Sequence, residues 1–373
     1  MVGEQKDSTS SEALPKPVRP ALVVSRRLLD DYSTYIEHLL VGLSAESVRA
    51  CLICSACSRA ESICPPTVEL IRYPILDLPL MGHYNKKLLF ERLDKFKPTV
   101  FHCLCQSKAW LTRQLTRHFG VPYVLTVNSL QKRRWQLSLS PRRCAEIVVP
   151  SSHLAVAVRG YYPRFAERIE QINIGTFTAD TSECFDKRGR LASIVMAHPL
   201  DYAGEFEKLL GAVRHLVIDG YEFMFVITGS GRQERELRKL VNGLGLTDVV
   251  LIVPKLLEWR SILAAGDIFI KHQPSESFDP VLLEAMAVGA AVVCSKGGVD
   301  DLVVDGKTGI LFEPDDELSI YNSLQKLLNG REYARQLAAN AQQYLRENHS
   351  VSAMVANTLR IYRQVQQWYK SRV

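Results

Sequence analysis

Across its 373 residues the chain has no apolar run approaching the ~20 residues that a membrane-spanning helix needs, so a transmembrane anchor is not expected. It also lacks a strong charge bias. A net charge of +6 is compatible with an anionic ligand or an acidic membrane surface and requires neither. No nucleic-acid-binding module is recognisable, which argues against a nucleic-acid partner. The opening segment, MVGEQKDSTSSEALPKPVRP, is without the apolar core of a signal peptide, and residues 1–19 read as a disordered tail on a cytoplasmic protein. Cysteine is present nine times but without a metal-ligand spacing. In CLICSACSRAESIC the interval before Cys64 is too long for an iron–sulfur run, and Cys51 and Cys54 fall in a strand-like segment where side chains alternate faces. They read as small buried thiols in a reducing compartment, and neither a metal nor a cofactor is expected.

Short apolar runs alternate with amphipathic helical patterns from end to end, which predicts parallel sheets with crossover helices. The strand-like runs of the first half are ALVVS, CLIC, VELIRY, TVFHC, YVLTV and EIVVP; those of the second are SIVMA, FMFVIT, VVLIV, IFIK and AVVCS. The fold class is therefore α/β, with two doubly wound, Rossmann-like parallel-sheet domains and a cleft between them. The polar, weakly periodic segment NIGTFTADTSECFDKRGR (173–190) marks the boundary. This gives domains at 20–175 and 176–350, followed by a helical pattern over 351–373 expected to pack back on the first domain.

The stretch PSESFDPVLLEAMAVGAAVVCSKGG (274–298) carries two glutamates eight positions apart, the second inside an apolar run. Asp279 before Pro280 is a strong helix start, since the carboxylate caps free N–H groups and proline is pre-set for the first helical position. Glu276 then falls in the loop at the C-terminal edge of the sheet, where doubly wound domains bind ligands. Glu284 falls one turn inside the helix. An ionised carboxylate among Leu282, Leu283, Ala285 and Met286 is costly unless donors meet it. A ribose diol offers two such donors; a buried arginine or a solvated helix edge would serve as well, and spacing alone does not choose.

The second half resembles the glycosyltransferase family 4 group of retaining, nucleotide-sugar-dependent enzymes with the GT-B fold. The resemblance rests on Glu276, the LLEAMA run around Glu284, and Gly297 and Gly298, with GDIFI upstream and DGKTGILFEPDD downstream, over residues 222–316. In the first half YIEHLLVGL, TVFHCLC and VPYVLTVNSL match in order more than in identity. The resemblance implies a nucleotide-sugar donor in the second domain, with Glu284 on the ribose and Glu276 on the sugar hydroxyls, and an acceptor such as a glycan or lipid in the first. It implies a catalytic set of Glu276, Asn128 and His102, and a donor-binding set that adds Ser277, Phe278 and Asp279 beside Glu276. Gly229 and Gly231, in TGSGRQERELRKL, fit a strand-to-helix turn near the nucleotide. No Asp-x-Asp occurs in the chain, so transfer is expected to be metal-independent.

The departures from the family are specific. Ser33 and Thr34 stand where it has a glycine pair, and Asn128 where it often has a histidine. His198 and Ala203 stand where an arginine and a lysine hold the donor diphosphate, and Asp279 replaces a glycine. Lys208, Lys271 and His272 are the nearby groups able to supply a cation. These losses leave an alternative open, a catalytically impaired module that binds a nucleotide-sugar or a partner. The basic stretch LQKRRWQLSLSPRRC (130–144) follows a strand end and suits either a peripheral membrane contact or a solvated helix with one packed tryptophan.

Overall fold

Strands buried on both faces must be apolar throughout, and this requirement explains the short unbroken aliphatic runs. In the computed structural model, which describes residues 17–56, 60–73, 82–130, 139–186, 190–254 and 259–371, the strands that form in four of the first six runs are buried at every position. Most of the expected N-terminal tail and most of the basic stretch lie outside the described residues.

The first sheet comprises β1 (Pro20–Val23), β2 (Cys51–Ser55), β3 (Glu69–Tyr73), β4 (Val100–Cys103), β5 (Tyr123–Thr126), β6 (Cys144–Val149) and β7 (Ile169–Gln171). Its order is β3-β2-β1-β4-β5-β6-β7, and the pairings are parallel. The second comprises β8 (Ala192–Ala197), β9 (Phe223–Thr228), β10 (Val250–Val253), β11 (Ile268–Lys271), β12 (Ala291–Ser295) and β13 (Ile310–Phe312). Its order is β10-β9-β8-β11-β12-β13, again parallel. The edge strands β7 and β13 were not expected from the sequence; three residues are too few to show a period.

Strand order reverses at β1/β4 in the first sheet and at β8/β11 in the second, which opens a crevice at the carboxyl ends of those strands. The chain passes between the two units twice, and the two passages are bonded side by side. Thr176 pairs with Ser350 in a parallel bridge, the Thr176 amide donates to the His349 carbonyl at 2.8 Å, and Asn173 Nδ2 donates to the Asn348 carbonyl at 3.0 Å. After the second passage the helix Val351–Lys370, capped by Ser350, packs on the helix Ser33–Ala45 and on β4, β5 and β6.

That helix pair meets at a glycine. A Cβ added to Gly42 would lie 2.3 Å from Cγ2 of Val355, so any side chain there would force Val355 to shift. Replacing Gly42 by leucine should overpack this contact and lower stability by roughly 1–3 kcal/mol, despite glycine's poor helix propensity. Urea unfolding with unchanged slope and a lower midpoint is the expected result; an unchanged midpoint would mean that the helices do not press together there.

Candidate active site

Because β8 and β11 are neighbours, the residues that follow them meet. His198 and His272 lie edge to face with ring centroids 4.5 Å apart, and Phe206 stacks on His272 at 5.1 Å. His272 is buried and neither ring nitrogen makes a well-aligned hydrogen bond with the described residues. Burial and the neighbouring His198 push its pKa down to about 3, and the nearby Glu205 main chain recovers only part of that. His272 is thus an uncharged packing group at neutral pH. His198 Nε2 faces Oε2 of Glu205 at 3.1 Å, and the Ala203 amide is taken by Gln233 Oε1 at 2.9 Å. Lys208 is exposed on the helix Glu207–Ile218. Gly229 and Gly231 serve close packing, since a Cβ at either would lie about 2 Å from the main chain of His198 (2.0 Å) or Leu200 (2.1 Å).

Lys271, at the end of β11, is enclosed by carboxylates. Its Nζ lies 2.6 Å from Asp300 and 3.2 Å from Asp279. Burial alone would lower its pKa, but the two anions outweigh burial and raise it. Burial pushes the Asp300 carboxyl up, and Lys271 draws it partly back. Asp279 also accepts from the Val281 and Leu282 amides at 2.9 and 3.1 Å, capping the helix Pro280–Ala287. One lysine, two carboxylates and a filled helix N-terminus leave little positive potential here.

The loop that carries Glu276 reaches across to the first unit. Ser129 and Ser277 form an antiparallel bridge, the Phe278 amide donates to the Asn128 carbonyl at 2.9 Å, and the Leu130 amide to the Glu276 carbonyl at 2.7 Å. Tyr32 Oη donates to the Phe278 carbonyl at 2.6 Å. The structure therefore brings together Asn128, Glu276, Ser277, Phe278 and Asp279. Phe278 is buried, whereas Glu276 is exposed. Asn128 Nδ2 donates to the Leu104 carbonyl at 3.1 Å, and its Oδ1 is buried without a hydrogen bond from the described residues. His102 meets this group only through a small pocket that it lines with Asn128, Tyr35 and Thr126. It lies inside the first core, with one ring nitrogen 2.7 Å from Tyr362 Oη and the other 2.7 Å from Thr126 Oγ1, and burial pushes its pKa down to about 3.

Glu284 is only 2% exposed. Oε1 accepts from Thr176 Oγ1 at 2.6 Å, on the passage between the units, and Oε2 lies 3.1 Å from Arg260 Nε without a well-aligned hydrogen bond from the described residues. Arg260 is 37% exposed on its side chain and also donates to the Phe177 carbonyl at 2.6 Å. Burial raises the Glu284 carboxyl; Arg260 and Thr176 oppose that rise. Sequence reasoning missed Thr176, Arg260, Asp300 and Tyr32, which lie far in sequence from the groups they meet. The only signal was an arginine opening the apolar run RSILAA.

Two facing Rossmann-like units, with a paired-glutamate loop and helix between them, define the GT-B class of glycosyltransferases. The family profile described as Glycosyl transferases group 1 matches residues 185–344, and that of Glycosyltransferase Family 4 matches residues 33–179. Alpha-D-kanosaminyltransferase of Streptomyces kanamyceticus is 24% identical over 346 residues, spanning 80% of this chain and 89% of that protein. A glycosyltransferase from Rickettsia africae shares the fold with a TM-score of 0.77 at 16% identity, covering 94% of this chain and 99% of its own. HepE of Anabaena, solved in complex with UDP and glucose, does so with a TM-score of 0.76 at 15% identity, covering 92% and 99%. The chain belongs to the GT-B glycosyltransferases of this family 4 and group 1 type. Among the described residues no helix is long and apolar enough to cross a membrane.

The two buried histidines make a pH prediction. Both hold folded pKa values of about 3 against an ordinary value of 6.5. The unfolded chain therefore takes up protons first as pH falls, so the stability that these neutral rings contribute is complete above 6.5 and is lost progressively toward 3. His272→Phe should flatten this decline relative to the parent protein in urea unfolding between pH 7 and pH 4. Parallel declines in the two proteins would show that His272 is protonated in the folded state.

Proposed function

We propose that this glycosyltransferase moves a sugar, with retention of configuration and without a metal, from a nucleotide-sugar held by the second unit to a glycan or lipid-linked acceptor held by the first. The observation that carries this reading is Glu284, a carboxylate 2% exposed whose Oε2 lacks an aligned hydrogen bond from the described residues and whose ionic partner opens to solvent. A ribose hydroxyl would satisfy that oxygen. Glu276, exposed one loop earlier and tied by its main chain to Leu130, is then in position for the sugar, with Asn128 opposite. Catalysis of this kind rests on positioning and on stabilising charge that develops as the diphosphate departs. The diphosphate would meet Lys271 only in competition with Asp279 and Asp300.

HepE was solved with UDP and glucose, so UDP-linked sugars head the donor panel. Donor hydrolysis and transfer in the presence of a chelator should fall sharply in Glu276→Ala while nucleotide affinity changes little. Glu284→Ala should weaken nucleotide binding by roughly 1–3 kcal/mol, the range for loss of a charged hydrogen-bond acceptor. Donor binding indifferent to both changes in folded proteins would refute the assignment.

A second substitution tests the charge arrangement. Asp279→Gly removes a helix cap, which should lower stability by about 1 kcal/mol. It also frees two amides and leaves Lys271 with Asp300 in place of two carboxylates, so a nucleoside diphosphate should bind more tightly while the nucleoside alone does not. Calorimetry showing equal or opposite changes for the two ligands would place the diphosphate elsewhere.

A further inference from the structure

Three consecutive residues after β12 divide their contacts between the two units. Val299 donates its amide to the Ser275 carbonyl at 3.2 Å, one residue before Glu276, and its own carbonyl accepts from Ser151 Oγ of the first unit. Asp300 holds Lys271 at 2.6 Å. Asp301 then reaches back across: Oδ2 accepts from the Ser152 amide at 2.5 Å, Oδ1 meets His153 Nδ1, and the carbonyl accepts from Tyr344 Oη at 3.2 Å. One short segment thus touches the Glu276 loop, the buried lysine and the first unit.

The carboxylate of Asp301 lies where an anion is favoured. Ser152 and His153 open the ten-residue helix Ser152–Tyr161, whose first amides have no partner within the helix and form its positive end. Ser151 Oγ, from the same unit, takes the Leu154 amide at 3.3 Å. Asp301 takes the Ser152 amide from the other unit. Burial would raise its carboxyl, but the bonds from Ser152 and His153 outweigh burial and hold it below the usual carboxylate range. Its backbone, at φ of 54°, is in the left-handed region that glycine would occupy without strain. Keeping a carboxylate there costs conformational energy that the contact across the units offsets.

We infer from this that Asp301 is a positioning residue for sugar transfer, a helix cap lent by one unit to the other that fixes how the first unit faces the loop bearing Glu276. Transfer joins groups held by different units, and reacting atoms misplaced by about 1 Å can cost a hundredfold in rate. A bond that sets the facing of the units therefore acts on the rate of transfer. The inference uses the glycosyltransferase activity of the family and does not depend on which ligand meets Glu284 or Lys271.

The bond can be cut from either side without disturbing the local backbone. Asp301→Gly keeps the left-handed conformation and removes the carboxylate. Ser152→Pro deletes the one N–H that Asp301 Oδ2 accepts, at the first helical position where proline is favoured, and the extended Ser151 (φ −148°, ψ 160°) suits a residue before proline. With UDP-glucose, or another UDP-sugar that the parent turns over, each change should lower kcat about tenfold or more. KM and the affinity for UDP should stay within about twofold. The double variant should lose no more than either single one, since both remove the same bond. Asp301→Asn, which keeps an oxygen for the Ser152 amide, should retain most of the rate. Small-angle scattering of the ligand-free full chain should show a larger radius of gyration in Asp301→Gly and Ser152→Pro, with the parent value kept in Asp301→Asn. Multiplied losses in the double variant would overturn the inference, as would a scattering curve and a kcat unchanged by either cut. Where no UDP-sugar is turned over, the scattering comparison decides alone, and parent-like curves for both variants refute the positioning role.

Discussion

The two passages of the chain between its sheets, bonded to each other at Thr176 and Ser350, are the constraint on which the rest of the molecule depends. Because both passages lie side by side, the carboxyl ends of two separately wound sheets confront each other. Further contacts exploit that placement. Ser151 Oγ donates to the Val299 carbonyl, the Ser152 amide donates to Asp301 at 2.5 Å, and His153 pairs with Asp301. Asp301 adopts a left-handed backbone with φ of 54°, a conformation that costs a non-glycine residue energy and is held here by contacts on several sides. The final helix extends the same logic inward, since Tyr362 supplies the hydroxyl that meets His102 in the first core.

Buried charge in the second unit is handled in two ways. Glu284 receives one hydroxyl and one partly exposed guanidinium, so its compensation is incomplete and open on one side. Lys271 is over-compensated, with two carboxylates about 3 Å away or closer, at 2.6 and 3.2 Å. Desolvating ions is expensive, and a pair survives burial only when geometry and further hydrogen bonds repay it. Asp279 meets that condition by serving the helix N-terminus and the lysine at once. The incomplete site and the closed one are five residues apart on the same helix start, so a ligand reaching Glu284 passes close to a region with no surplus positive charge.

Much of the fold was legible because parallel strands buried on both faces leave unbroken aliphatic runs, and because Asp279-Pro280 announces a helix unambiguously. The two three-residue edge strands were not legible. At the site, the sequence pointed to Glu276, Glu284, Asn128 and Asp279, and the structure gathers two of these, Asn128 and Glu276, through main-chain bonds across the cleft. It did not reveal that Glu284 meets Thr176 and Arg260, because partners 108 and 24 positions away leave no local pattern. Nor did it reveal that Lys271 is enclosed, or that His102 faces the core. A histidine on a strand looks the same in sequence whether its ring meets a ligand or a tyrosine from the last helix.

The departures from the family become coherent once these contacts are considered together. A histidine at position 198 and an alanine at 203 remove fixed positive charge; Asp279 and Asp300 then neutralise the one lysine at the strand end. Taken singly, each change would leave an unpaired ion or an empty anion site. Together they leave the lysine neutralised and the helix N-terminus capped by the protein itself. If the proposed function holds, recognition in this enzyme is concentrated at the two ends of the donor, the ribose at Glu284 and the sugar at Glu276, while the diphosphate between them contributes less than a pair of cations would give. A leaving group held by few cations must then be stabilised as it departs by the acceptor, or by a rearrangement that frees Lys271 from Asp279. That second route couples departure to the helix cap, since moving Asp279 exposes two amides and takes one of two carboxylates from the lysine in one step.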